Sequence, residues 1–569
     1  MSVTLDYAAL APVLVPALGA LLVLVVDVVR PRLGAAHWAL AAVVLFAGAA
    51  TAVPGLLPGA AERRTMCLSD TSCLYVVDRL GAVIQVSALV SAGVIALLAL
   101  PVPAPRERAP VSVAMLLAST AGATGVAAAR DLGSWLVLLE LATLPTIALV
   151  ALRARRSALD GALTLLVTSL VSFALLAMGA ALWFAATGSP LLDGDAVLRA
   201  AGEPETRRVL ALAVVVLVAG LGFKLSLVPF HAWTPEAYAG ASVPVGGFLA
   251  TTSKLAALGA LLAVLRGVTA LGEGALVAVG IVAAITMTVG NVLALRERST
   301  LRLLAWSTVA QAGWVVLPLA TVAPGAVKAA TGYLFVTSIA TLVVFAGVTL
   351  VAHAEGRGRI RDLTTLRGLF RRRPVAALAI SLGLLTLAGL PPAVLGLVAK
   401  VLALRPVVVG ELWWLAVVAA LNAMLGVAVY LRVVLAMAGR SDPDAVHDRP
   451  HPLHLAVVAV SLVALAVISL APSCRWACST DPRRTYGTAR PCEPGARLGG
   501  APREGAPWRT VGRGSARAYV CARFGGAPPG VRPGARFGGG PRGRTPSARP
   551  GTTWGSRLVH GACTTISTA

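Results

Sequence analysis

Apolar runs longer than about 18 residues recur along this chain as far as residue 471, and a run of that length is what a helix needs to cross the hydrocarbon core of a bilayer. Fourteen spans can be drawn, at roughly 8–29, 36–57, 80–101, 111–128, 132–152, 159–186, 209–226, 243–265, 273–294, 302–321, 327–352, 374–404, 411–438 and 453–471. Only helices satisfy their own backbone hydrogen bonds in lipid at such lengths, so the fold class expected is an all-α polytopic membrane protein. Composition excludes a soluble enzyme: 57% of the residues are hydrophobic and 13% charged, against about 25% charged in a soluble domain. The first run has no basic segment ahead of it and is expected to remain as a span rather than be cleaved as a signal.

The charge is informative once it is divided. The whole chain carries +24, but residues 472–569 hold 16 Arg against 3 acids, so more than half of the excess lies in the last sixth. A nucleic-acid partner is therefore not expected for the membrane part. Loops after odd-numbered spans carry 19 Lys and Arg and those after even-numbered spans 10. That bias puts the odd loops in the cytoplasm and both ends of the fourteen-helix bundle outside. Cys67 and Cys73 fall in an even loop; they form a small disulfide if it faces an oxidising space, or are two unrelated thiols. No cysteine or histidine spacing suits a metal.

Four lysines stand against 45 arginines. Three of them, Lys224, Lys254 and Lys400, sit inside apolar segments, where an ionisable group costs at least ~2.5–3.5 kcal/mol and marks a functional site by default. An ammonium group can give up its proton where a guanidinium stays charged. Lysine kept at three such positions in an arginine-rich chain therefore points to proton exchange, with snorkelling to the interface as the bland alternative. Glu140 is the acidic counterpart, about nine residues into an apolar span with no basic residue a turn away, and Lys224 is its natural partner. Prolines break two of these helices: Pro229, followed by His231, comes after Lys224, and Pro391 and Pro392 come before Lys400. Interrupted helices in two halves mark inverted-repeat transporters. The order Lys–Pro then Pro–Lys suits inverted repeats over spans 4–8 and 9–13.

At these residues the chain resembles the antiporter-like subunits of proton-pumping NADH:quinone oxidoreductase, complex I, and most of all its N subunit. The resemblance rests on FKLSLVPFHAWTPEAYAGASVPVGGFLATTSKLAAL (223–258), LLELATLPTIALVAL (138–152), LRLLAWSTVAQAGW (301–314) and LAGLPPAVLGLVAK (387–400). It covers about residues 1–471. It implies fourteen helices with two inverted five-helix units, each with a broken helix, and a hydrated proton path through mid-membrane. Glu140 and Lys224 match the family's Glu–Lys pair, Lys254 its central relay lysine, Lys400 the lysine of the second broken helix, and His231 the histidine beside the first break. The pattern departs at Leu301, Arg302 and Trp306, and the stretch from Pro391 to Lys400 is one residue longer, a turn of about 100° on a helix.

The implied organisation is three N-terminal spans (1–110), a first repeat (111–265), a second repeat (266–438), a last span (439–471) and a basic tail (472–569). The implied partners are the other membrane-arm subunits, the lipid bilayer and, indirectly, the quinone pool. NADH, FMN, iron–sulfur clusters and quinone belong to partner subunits, and no cofactor or metal is expected on this chain, which has no GxGxxG on a strand and no cluster ligands. Two other readings stand beside this one: a subunit of a multi-subunit cation/proton antiporter or membrane-bound hydrogenase, and a scaffold that pumps nothing. The tail, rich in Arg, Gly and Pro with 18 Gly and 12 Pro, has too little apolar surface to offset the entropy of ordering it. It reads as a functional basic tail or as translation out of frame. On either account it opposes the charge bias of the loops, so truncation after Ser473 should leave membrane insertion and proton pumping unchanged; failure to insert would show the tail is needed.

Overall fold

The computed structural model describes residues 5–31, 34–67, 72–101, 108–192, 195–268, 274–354, 362–440 and 451–470. Expectations for residues 472–569 fall outside the described residues. Nineteen helices occur among those described. The first half runs α1 (Tyr7–Val29), α2 (Gly34–Ala52), α3 (Arg79–Ala99), α4 (Ala109–Val126), α5 (Leu132–Ala151), α6 (Arg156–Thr187), α7 (Asp195–Gly202), α8 (Pro204–Leu225), α9 (Trp233–Gly240), α10 (Val243–Ala250) and α11 (Thr252–Val268). The second runs α12 (Gly274–Arg296), α13 (Thr300–Val316), α14 (Ala326–Ala354), α15 (Leu369–Arg372), α16 (Pro374–Ala388), α17 (Val394–Val409), α18 (Trp413–Ala438) and α19 (Pro452–Leu470). Among the described residues thirteen stretches are long and apolar enough to cross a membrane. The span expected over 374–404 is two helices, α16 and α17, each short of a full crossing. The all-α polytopic class is thus the fold observed.

Three spans begin on an aspartate. Asp6, Asp78 and Asp131 accept hydrogen bonds from the first free backbone N–H groups of α1, α3 and α5, which have no partner within the helix. Beside these caps lies an element not anticipated, an antiparallel hairpin of β1 (Arg63–Cys67) and β2 (Cys73–Val77). Cys67 and Cys73 close it as a disulfide. The hairpin is tied down by Val76 N–H to Ala128 O (2.9 Å), Arg130 N–H to Leu74 O (2.9 Å) and Asp6 N–H to the Thr65 hydroxyl (2.9 Å).

Without a hydrophobic drive between helices, association in lipid depends on close approach and on polar contacts across helices. Gly161 on α6 and Gly240 on α9 provide the approach. A Cβ on the first would stand 2.5 Å from Glu236 O, and one on the second 2.5 Å from Ser157 O, so α9 is pressed directly on α6. Asn291 of α12 donates to Asn422 Oδ1 of α18 (3.0 Å), and Asn422 donates to Thr288 (3.0 Å). The first contact fixes α9, just past the first break, on α6, and the second joins α12 to α18.

Candidate functional site

The α8 helix ends because Ser226 takes a left-handed conformation (φ 64°). The next N–H, of Leu227, turns back to Gly222 O (2.8 Å) while Ser226 N–H bonds Phe223 O (3.2 Å), a Schellman closure. The second break repeats this. Gly389 is left-handed (φ 77°), Leu390 N–H bonds Leu385 O (3.0 Å) and Gly389 N–H bonds Thr386 O (3.1 Å). Pro229 and Pro392 follow three residues after the left-handed positions, and both are preceded by cis peptide bonds. Gly222, Ser226, Leu227, Pro229 and Phe230 thus correspond in chain order to Leu385, Gly389, Leu390, Pro392 and Ala393. The two breaks run in the same chain direction. The reversed order of Lys and Pro arises because Lys224 stands on the half-helix before its break and Lys400 on the one after.

Each closure leaves carbonyls unpaired at a helix end, and lysine amines take them. Lys254 donates to Lys224 O (3.1 Å) and to the Ser226 hydroxyl (2.5 Å), and its Nζ lies 4.8 Å from the Trp233 ring centre. Trp233 itself donates to Phe223 O (2.7 Å). At the second break Lys400 donates to Ala388 O (2.6 Å), with its Nζ 5.2 Å from the Trp314 ring centre. Both amines therefore sit over an aromatic face that favours a cation. The longer Pro391–Lys400 stretch still turns this side chain inward to the break.

Lys224 meets Glu140. Its Nζ lies 3.0 Å from Glu140 Oε1 and 3.0 Å from the Thr143 hydroxyl one turn further along α5. Lys224, Lys254 and Lys400 are only 7%, 3% and 6% exposed, so none reaches toward an interface, whereas Lys328 is exposed at the start of α14. A cavity of about 10 Å³ lined by Thr143, Thr146, Thr168, Ser169 and Lys224 adjoins the pair. His231 is placed elsewhere. Its ring packs on Trp306 of α13, 5.3 Å between centres, and makes no contact with the Glu140–Lys224 pair. Close by, Arg302 forms an ion pair with Glu236, joining α13 to α9 at the position where the family pattern departs. Among the described residues no group of three metal-binding side chains is found.

Trp233, Trp314, Ser226 and Thr143 are parts of the site that the sequence did not single out. Their signal was faint: one Trp four residues past the first break, another on a separate span, and a hydroxyl one turn from a buried acid.

Buried amines held on the free carbonyls of broken membrane helices, with one carboxylate paired across helices, define an ion-translocating membrane protein of the antiporter-like type. Residues 129–426 match the family described as NADH:quinone oxidoreductase/Mrp antiporter, TM. The chain is 39% identical over 468 residues to NADH-quinone oxidoreductase subunit N of Salinispora tropica, covering 79% of this chain and 88% of that protein. It superposes on a chain of respiratory complex I from Thermus thermophilus, solved with bound aureothin, with TM-score 0.67, 29% identity, and coverage of 81% and 97%. A chain of the Mrp complex from Dietzia shares the fold at TM-score 0.70 and 20% identity, covering 81% of this chain and 94% of that one. The chain belongs to the NADH:quinone oxidoreductase/Mrp antiporter family, among its subunit N members.

Proposed function

We propose that the chain is the N-type membrane subunit of a respiratory NADH:quinone oxidoreductase, and that it moves protons through Glu140, Lys224, Lys254 and Lys400 while partner subunits carry out the redox chemistry. The observation that carries this reading is that two amines and one carboxylate meet at a single helix end. Lys224 offers its ammonium to Glu140 and its backbone carbonyl to Lys254. Any movement of the α8 end therefore changes both lysines together. Drawing Lys224 away from Glu140 removes the charge that holds its proton and carries its carbonyl away from Lys254. A proton leaving Lys224 then passes toward Lys254, while Glu140 is ready to accept the next one. Arginine would keep the pair but not the transfer, because guanidinium does not deprotonate.

The five-part division of the chain belongs to this reading, with residues 111–265 and 266–438 as inverted repeats. The matching closures at Ser226 and Gly389 support it. NADH, FMN, iron–sulfur clusters and quinone sit on the partners, the other membrane-arm subunits share the bilayer, and the arginine-rich loops face the cytoplasm of the cell. The Cys67–Cys73 disulfide agrees, because this orientation puts its loop in the oxidising outer space where disulfides persist. His231 acts by setting α13 against the first break rather than by carrying the proton.

The second reading, a subunit of a cation/proton antiporter, stands because the description of the family that the chain matches names Mrp antiporters as well. Purifying the native assembly through a tag on this chain separates the two. NADH oxidation coupled to quinone reduction in the purified assembly is the expected result. An assembly that exchanges cations for protons with no redox activity would overturn the reading.

A further inference from the structure

The path described so far stops between Lys254 and Lys400. One side chain has contacts toward both. Gln311 on α13 lines a cavity of about 20 Å³ together with Lys254, Thr308, Thr337 and Thr341, large enough to admit one water. On its other side three of the four hydrogen bonds its amide can make are spent toward the second break. Nε2 donates to Leu387 O (3.4 Å) and to the Tyr430 hydroxyl (2.8 Å), and Oε1 accepts from the Tyr333 hydroxyl (2.6 Å). Gln311 is itself buried, 8% exposed. Leu387 O is the counterpart, in the matched closures, of Lys224 O. At the first break that carbonyl is held by Lys254, and at the second it is held by Gln311. The next carbonyl, Ala388 O, is the one that Lys400 holds. Tyr333 also stacks on Trp314, 5.8 Å between ring centres, the ring over which Lys400 sits.

We propose that Gln311 is the positioning residue that couples the Lys254 site to the Lys400 site. Its amide faces the Lys254 cavity on one side and, through Leu387 O, Tyr430 and Tyr333, fixes the carbonyl end that Lys400 holds on the other. The amide takes up no net proton. It sets the distance and the hydrogen-bond direction over which a proton passes from one lysine to the other, and a shift of the α16 end is felt at the cavity through it. Ser307, which shares a hydrogen bond with the Tyr430 hydroxyl (2.6 Å), holds that tyrosine in place.

This inference rests on the proton-carrying reading above, and its test keeps the two apart. In the assembled complex, NADH-driven proton uptake into vesicles is compared for Gln311→Met, Gln311→His, Tyr430→Phe and Lys254→Ala. Gln311→Met keeps the volume and removes every hydrogen bond. It should assemble and lose about tenfold in proton translocation, the rate equivalent of one neutral hydrogen bond at the upper end of its usual range. Gln311→His, which restores a donor and an acceptor, should recover most of it, a rescue that a merely space-filling role would not produce. Tyr430→Phe, which changes only one hydroxyl, should lose about threefold, and it decides the matter if Gln311→Met does not accumulate. Normal pumping in Gln311→Met and Tyr430→Phe, or equal loss in Gln311→Met and Gln311→His, would overturn the proposal. If Lys254→Ala also pumps normally, the reading of the whole path fails. If Lys254→Ala is impaired and the Gln311 variants are not, only the coupling role fails.

Discussion

Replacing Lys254 with alanine should leave the complex assembled and reduce the proton flux through this chain by about a hundredfold, the usual contribution of a positioned proton-transfer group. Lys254 pairs with a carbonyl and a hydroxyl rather than with an acid, so its removal strands no opposite charge in the membrane. What is lost is the amine that reaches Lys224 O, and with it the link from the Glu140 pair onward. Vesicles energised with NADH measure this as the initial rate of internal acidification. Lys328→Ala is the control, since that lysine is exposed at the start of α14, and its acidification rate should match the unaltered protein.

Gly396→Ala should have the largest effect on stability. A Cβ on Gly396 would stand 1.8 Å from Thr386 O, inside any permitted contact, and the atom it meets is backbone. The clash forces α17 away from the end of α16 and costs about 3 kcal/mol or more. The same movement takes the Lys400 amine off Ala388 O. Little assembled complex should accumulate, and what remains should melt at a lower temperature in detergent. Gly202→Ala, where an added Cβ meets nothing within 4 Å, should accumulate normally. Equal yields of the two variants would show that α16 and α17 separate without cost.

The parts of this site that carry charge were legible in the sequence, and the parts that carry shape were not. A carboxylate and three amines inside apolar runs are so costly there that position alone singles out Glu140, Lys224, Lys254 and Lys400. Prolines announced both breaks for a similar reason, since each removes a backbone donor that lipid cannot replace. Gln311, Tyr333, Tyr430, Trp233 and Trp314 stayed hidden. In a soluble helix, polar and apolar faces alternate and the period tells which residues look inward. In a membrane span both faces are apolar, so no period marks the interior, and the meeting of α13 with α14, α16 and α18 follows from contacts between segments far apart in the chain. His231 shows the converse, a titratable residue beside a break whose ring the fold turns to Trp306 rather than to the ion pair. The hairpin at Arg63–Val77 is hidden for another reason: it is short and lies between spans, and only its two cysteines marked it.

The central claim is that Lys224 gives up and regains a proton, and Lys224→Arg tests it most directly. Arginine keeps a positive charge within reach of Glu140 Oε1, which Lys224 meets at 3.0 Å, so the ion pair that joins α8 to α5 is preserved. The purified complex should therefore assemble with its full set of subunits. In proteoliposomes supplied with NADH and quinone it should acidify the interior at a small fraction of the normal rate, because guanidinium holds its proton. Acidification by the arginine variant at the unaltered rate would contradict the account.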